Sequence, residues 1–262
     1  MTKEKKVVAL RKRPSPWRMR WSLNKSWILG MTFPGDVSYH DSLWAGWERR
    51  IQLSHAAEEK EIARRYEAWE KNLPDGYDAG DFAADDHWQM ERVTRDMYAA
   101  IVVSIWSQME RVLTNILALY YERHLEQVQQ FCQDTLAGEH TTVDVGGCIR
   151  ALEAMQTGVS FRIDEIKKAF KDDVCVPVEQ CKGYKVVDAI RILNNSFKHA
   201  NGRYRGEKGQ IDKPLLSRWA IVDEHNKIDY THFCVKEAIE ACNAFCHDLL
   251  SRVEEKLPEK KT

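Results

Sequence analysis

The segment that most constrains this chain spans residues 98–121, which are apolar on nearly every side of a helix. Its length matches a membrane span, but Ser104, Gln108 and Glu110 interrupt its centre. A charge at that depth costs about 2.5–3.5 kcal/mol on insertion scales. A helix that is apolar all round belongs in the interior of a protein. The segment therefore predicts the central helix of a soluble helical bundle.

Two long helices are predicted in the first half of the chain. Apolar residues recur at helical spacing over residues 41–71, with dense charge between them. The helix that contains the central segment is expected to start at an aspartate cap, Asp85 or Asp86, and to reach about Leu136, with a kink or a split left open.

The second half of the chain adds shorter elements. Short helices are predicted over residues 148–156 and 162–170, and a small β-hairpin or extended loop over residues 217–230. Thr231 is expected to cap a final amphipathic helix that ends near Leu257. The predicted class is mostly α, an antiparallel helical bundle with at most one short β-hairpin.

A break rich in proline and glycine separates the two long helices at residues 73–81. We take it as the best candidate for a domain boundary. The predicted division is an N-terminal basic, tryptophan-rich arm with a helical extension at residues 1–80, and the helical bundle at residues 81–262.

Basic residues and tryptophans alternate near the start of the chain, over residues 3–21. Such a pattern fits two uses: stacking on nucleic-acid bases, or laying the tryptophans on the bundle. The second is favoured, because the net charge of the whole chain is only −1 and gives no global attraction to nucleic acid. The basic start lacks the apolar core of a secretory signal, which predicts a cytoplasmic protein with seven reduced cysteines.

The best candidate site lies in the helix predicted over residues 186–202. One side of this helix is apolar, while Arg191, Asn195 and His199 follow one another at four-residue spacing on the other side. A cation, an amide and an imidazole in one column can bind a phosphate and transfer a proton. The alternative is an ordinary solvated face in which Arg191 pairs with Asp188.

Other patterns give less support for chemistry. The final helix region carries His232, Cys234, Cys242, Cys246 and His247, but no Cys-x-x-Cys pair completes a zinc site, so core packing is favoured. The sequence has no phosphate-binding glycine loop and no nucleophile-elbow serine. These absences argue against an ATPase, a dehydrogenase and an α/β hydrolase.

The run of Arg191, Asn195, Lys198, His199 and Gly202 resembles the motif helix of HEPN domains. The preceding stretch SIWSQME, which ends at Glu110, is also similar to that superfamily. The resemblance implies a HEPN-like helical bundle, usually dimeric, and a metal-independent endoribonuclease of toxin–antitoxin or anti-phage defence systems. It implies RNA as substrate, an antitoxin or defence protein as a possible partner, and no cofactor, metal or membrane.

The resemblance also implies roles for the residues of this chain. Arg191, Asn195 and His199 would be catalytic, and Glu110 would support them. The residues that would bind the RNA backbone are Lys198, Arg203 and Arg205. Arg191 lies eight residues before His199, a wider spacing than in the usual HEPN signature, and Asn194 stands five residues before it. Either Arg191 reaches the cleft from that position, or a cation such as Lys198 or Arg203 replaces it. The runner-up is a non-catalytic interaction module with the same fold, which binds a partner protein or RNA.

Overall fold

The computed structural model describes most of the chain from Leu43 to Leu257, with gaps, and the account below is limited to those residues. The described residues are 43–72, 74, 78–136, 146, 149, 162–200, 219, 221–222 and 227–257. Apart from residue 149, the predicted helix at residues 148–156 lies outside them, as do Arg203 and Arg205.

The first two helices run side by side in opposite directions. Helix α1 spans Leu43–Asn72 and helix α2 spans Ala79–Leu136. Trp44 Nε1 donates a hydrogen bond to Ser104 Oγ at 3.1 Å near one end of the pair. Arg65 Nη1 lies 2.9 Å from Asp86 Oδ2 near the other end. These contacts fix an antiparallel register between the two helices.

Helix α2 differs from its prediction at its start. It is one continuous helix of 58 residues, and it starts at Ala79 rather than near Asp85 or Asp86. The cap is Asp78, whose Oδ1 accepts a hydrogen bond from Gly80 N at 2.7 Å. An aspartate in that place satisfies a backbone N–H that the first turn leaves without a partner.

The middle of α2 is the centre of the core, as its sequence predicts. Ile105, Met109 and Ile116 have no exposed surface. Helix α2 contacts every other described helix, and Trp44 and Ile51 of α1 belong to the same apolar cluster as the buried residues of the later helices. The division of the chain at residue 80 stays a prediction. Within the described residues, no helix is both long and apolar enough to cross a membrane.

The remaining elements pack around the middle of α2. Helix α3 spans Ile163–Asp172, a 3₁₀ turn spans Val178–Gln180, helix α4 spans Tyr184–Ala200 and helix α5 spans Val235–Glu254. Strands β1 (Ile221–Val222) and β2 (Ile228–Asp229) pair antiparallel. The mostly α-helical class and the short hairpin are confirmed.

The prediction that Thr231 caps the last helix is wrong. Its backbone N–H and its hydroxyl both donate to Asp229 Oδ1, at 2.9 and 2.8 Å, so Thr231 belongs to the turn after β2. Helix α5 starts later, with Cys234 as its cap residue and no side-chain cap hydrogen bond. The apolar face predicted for this helix is buried as expected.

Candidate functional site

Helix α4 has one face in the core and one face in solvent. Ile190 and Leu193 are fully buried, and the helix packs against both α2 and α5. On the opposite side Asn195, Lys198 and His199 are exposed. The two-faced helix predicted from the sequence is therefore present, and it starts and ends within two residues of the expected positions.

The C-terminal half of α4 is held by the residue that follows β2. The Tyr230 hydroxyl donates a hydrogen bond to the carbonyl of Leu193 at 3.0 Å. The Tyr230 ring also meets Phe197 edge-on, with ring centroids 6.0 Å apart. Burial raises the pKa of Tyr230 well above its usual value, so the hydroxyl keeps its proton and remains a donor.

Arg191 is partly buried and already has an acidic partner. Its Nε donates to Asp188 Oδ1 at 2.8 Å, one turn earlier in the helix. The side chains of Arg191 and Asp188 keep 23% and 26% of their surface exposed. The pairing that the sequence offered as the alternative to a catalytic role is thus present, and any ligand of Arg191 must share the guanidinium with Asp188.

Helix α3 adds a second cation to this group. Lys167 Nζ lies 3.6 Å from Asp188 Oδ1 and donates to the Tyr184 hydroxyl at 2.5 Å. The same ammonium lies 5.0 Å from the centre of the Tyr184 ring and 4.0 Å from Glu179 Oε1. Burial raises the pKa of Tyr184, and the hydrogen bond from Lys167 partly offsets that rise. The group, which we call the Asp188 cluster, contains Lys167, Glu179, Tyr184, Asp188 and Arg191.

The Asp188 cluster combines two cations with two carboxylates, so its charges compensate one another. Four-residue spacing along α4 does not predict the participation of Lys167 and Glu179, because they lie in α3 and in the 3₁₀ turn, outside that helix. The cluster fixes the start of α4 against α3 and the 3₁₀ turn. Lys198 is an exposed cation of α4 that lies outside the cluster.

Asn195 is oriented by a neighbour that sequence reasoning did not select. Asn194 is only 2% exposed, and its Nδ2 donates to Asn195 Oδ1 at 3.2 Å. The side-chain oxygen of Asn195 therefore accepts a hydrogen bond from its neighbour, and the side chain as a whole is exposed. Helical spacing alone places residue 194 near the edge of the apolar side, which is the signal that identifies it.

His199 is exposed near the C-terminal end of α4, where its ring can meet a ligand. Within the described residues it takes part in no hydrogen bond and no ion pair. Arg191 reaches back toward Asp188, on the side away from His199. The backbones of Arg191 and His199 are about 12 Å apart along the helix axis, from a rise of 1.5 Å per residue. The arginine and the histidine of one chain therefore do not converge on a single point.

Glu110 of α2 is only partly buried. Its carbonyl oxygen accepts a hydrogen bond from Thr114 Oγ1 at 2.8 Å. No hydrogen bond or ion pair in the described part of the chain joins its carboxylate to Arg191, Asn195 or His199. The supporting role given to Glu110 stays a prediction.

The cysteines of α5 pack in the core, as favoured from the sequence. Cys242 and Cys246 are fully buried, and burial raises the pKa of both thiols. Cys246 Sγ lies 3.8 Å from Met109 Sδ of α2. Among the residues that the structure describes, no three His, Cys, Asp or Glu side chains come together as a metal site.

The chain matches no protein-family model, no curated protein and no solved structure. The similarity to HEPN domains thus rests on the residues of this sequence and stays a prediction.

Proposed function

We propose that this protein is a metal-independent endoribonuclease of a toxin or anti-phage defence system, with its site on the exposed face of α4. The observation that supports the proposal most is His199, exposed and without an intramolecular partner in the described residues. It shares this face with the exposed side chains of Asn195 and Lys198. Cleaving RNA without a metal needs at least a group that transfers a proton, here the imidazole, and groups that bind the phosphate.

The proposed reaction uses the 2′-hydroxyl of the RNA as nucleophile. His199 accepts the proton of that hydroxyl while its oxygen attacks the adjacent phosphorus. The bond from phosphorus to the 5′-oxygen breaks, and the leaving oxygen takes up a proton. The products are a 2′,3′-cyclic phosphate and a 5′-hydroxyl, with no change in oxidation state. Imidazole suits this proton transfer because it changes protonation near neutral pH.

The positions of Arg191 and His199 favour a site built from two copies of the chain. Within one helix the guanidinium is directed away from the imidazole. Two α4 helices related by a two-fold axis and running in opposite directions bring the arginine of one copy toward the histidine of the other. The arginine then stabilises the charge that develops on the non-bridging oxygens. Asn195 orients the phosphate, and Lys198 with Arg203 and Arg205 binds the backbone on either side.

The first test compares variants on an RNA oligonucleotide that contains a single 2′-hydroxyl, in excess EDTA. We expect His199→Ala to lower the cleavage rate about 10²–10⁴-fold, the usual contribution of a general acid–base group. His247→Ala is the matched control, because His247 is an exposed histidine on α5 and remote from the column. An all-deoxy oligonucleotide should remain intact.

Equal rates for wild type and His199→Ala would contradict the proposal, as would cleavage of the all-deoxy oligonucleotide. The shared site is tested separately by coexpressing Arg191→Ala with His199→Ala. Mixed dimers then hold one intact site of two, and random pairing predicts about a quarter of wild-type activity. Activity no higher than that of either variant alone would contradict the two-copy site.

A second candidate is a non-catalytic module that binds RNA or a partner protein through the same face. The Asp188–Arg191 ion pair favours it, because it neutralises the cation that catalysis needs. This candidate predicts salt-dependent RNA binding that Lys198→Ala weakens, with no cleavage at any protein concentration. A 2′,3′-cyclic phosphate product would exclude it.

A further inference from the structure

A cleft lies between α1 and the first half of α2, and no residue of α4 lines it. Its volume is about 310 Å³. Ile51, Met90, Val93 and Met97 form an apolar wall along it. A cleft of this size is large enough to hold one or two large side chains.

The apolar wall is open to solvent. Val93 is 54% exposed and Met97 is 42% exposed, although the next turns of the same helix contain the fully buried Val102 and Ile105. Contiguous exposed apolar surface next to a concave groove marks a surface that another segment covers. The wall therefore has the form of a docking site for large apolar side chains.

The other end of the cleft has more acidic than basic side chains. Glu58 Oε1 and Asp86 Oδ2 lie there, and Arg65 contacts each of them at 2.9 Å. The contact with Asp86 is an ion pair without the alignment of a hydrogen bond, and both Arg65 Nε and Asp86 Oδ2 lack hydrogen-bond partners. Two carboxylates thus share one guanidinium, and Asp86 Oδ2 can still accept a hydrogen bond. An occupant with large apolar side chains would match the apolar wall, and its positive charge would match the two carboxylates.

The chain itself carries a segment with this composition. Residues 1–42, outside the described residues, contain nine basic and three acidic residues, a net charge of +6. Since the whole chain has a net charge of −1, residues 43–262 carry −7. The same segment contains Trp17, Trp21 and Trp27 among its basic residues. Each buried tryptophan removes roughly 150–250 Å² from water, which suits the apolar wall.

The segment is also close enough to reach the cleft. Residue 42 precedes Leu43, the first residue of the helix that forms one side of it. Arg65 lies about 33 Å along α1 from Leu43, at 1.5 Å per residue. An extended chain gains roughly 3.3 Å per residue, so the residues between Trp27 and Leu43 can span roughly 50 Å.

We propose that the cleft between α1 and α2 binds the basic, tryptophan-containing N-terminal segment of the same chain. Tryptophans from residues 17–27 cover Val93 and Met97, and neighbouring lysines and arginines lie opposite Glu58 and Asp86. The segment is held by both apolar burial and charge, so its release is promoted by salt and by substitutions on the apolar wall.

Limited trypsin digestion of the full-length protein tests this binding, because residues 1–42 are dense in trypsin sites. Cleavage at Arg11 to Lys25 is followed by mass spectrometry. We expect Val93→Asp to accelerate it several-fold. Leu53→Asp is the matched control: Leu53 is 62% exposed on α1 but does not line the cleft. Equal cleavage rates for the two variants, both with wild-type helical content, would overturn the proposal.

Photo-crosslinking identifies the occupant directly, without adding a charge to the wall. Met97 is replaced by p-benzoyl-phenylalanine in the full-length chain, and the crosslinked peptides are sequenced after irradiation. Crosslinks from Met97 to residues 1–42 at the mass of a monomer support the proposal. Crosslinks to a second copy of the chain or to another protein, or none to residues 1–42, overturn it.

Discussion

The two faces of α4 differ in how much of a residue's environment helical periodicity predicts. On the buried face, Ile190 and Leu193 are fixed by α2 and α5, and helical periodicity alone identifies them. On the exposed face, the same periodicity aligns Arg191 with His199, yet their environments differ: the arginine is bound to Asp188 and the histidine is free of described partners. Periodicity predicts which residues share a face, whereas the chemical role open to each residue depends on the side chains that contact it.

The largest expected effect on stability comes from truncating the buried face. Leu193→Ala removes a fully buried side chain and should lower the free energy of unfolding by about 2–5 kcal/mol. His199→Ala on the exposed face should change it by less than about 0.5 kcal/mol. Urea unfolding followed by circular dichroism measures both. Similar losses for the two variants would show that the faces are not energetically distinct.

The turn before α4 gives the next largest effect. Gly183 has φ of +81°, and a Cβ there would lie 2.6 Å from the carbonyl oxygen of Ala241 in α5. Gly183→Ala should therefore cost about 2–3 kcal/mol, from backbone strain and overpacking. Gly46→Ala is the control, since Gly46 lies within α1 with no atom within 4 Å of a new Cβ. It should stabilise the helix by up to about 1 kcal/mol. Equal thermal shifts for the two variants would contradict this reading of the turn.

A smaller effect is expected where Tyr230 supports α4. Tyr230→Phe keeps the ring contact with Phe197 and loses the hydrogen bond to the Leu193 carbonyl. The free energy of unfolding should fall by about 0.5–1.5 kcal/mol. Thermal unfolding of the purified variant measures it. A loss as large as that of Leu193→Ala would mean that the ring has also moved.

The smallest effect should depend on pH. Asp248 of α5 accepts hydrogen bonds from Lys182 N at 2.8 Å and from Arg252 Nε at 2.9 Å, and the bond from Lys182 is the main reason that its pKa is lowered. A lowered pKa in the folded state means that the contribution is complete above the ordinary value of 3.8 and is lost as the pH falls through the folded value. Asp248→Asn should therefore lower the melting temperature at pH 6, and the difference from wild type should shrink as the pH falls below 3.8. A constant difference across this range would contradict the assignment.

Much of the fold was predictable because it depends on local patterns. The bounds of α1 and α4 and the burial of residues 98–121 follow from apolar spacing over many residues. The start of α2 was missed because Asp78 caps a helix within a glycine-containing stretch that reads as a break. Thr231 was misassigned because Asp229 competes for its hydroxyl.

The candidate site was less predictable than the fold. Its column on α4 follows from four-residue spacing, and the Asp188–Arg191 pair was one of the alternatives. Lys167 was not selected, since its contact with Asp188 requires knowing how α3 packs beside α4. Such packing between elements has no period that a single sequence shows. Asn194 was not selected either, although helical spacing places it near the edge of the apolar side.

The unbroken course of α2 has a consequence for the exchange of backbone hydrogen with solvent. Amides near Ile105 and Met109 are buried in the middle of a helix about 87 Å long, at 1.5 Å per residue. They cannot open by fraying, which starts at helix ends, so their deuterium uptake reports the opening of the whole molecule. Uptake near Ala79 reports only the local end of the helix. One helix thus carries amides that exchange by local fraying and amides that exchange only when the whole molecule opens.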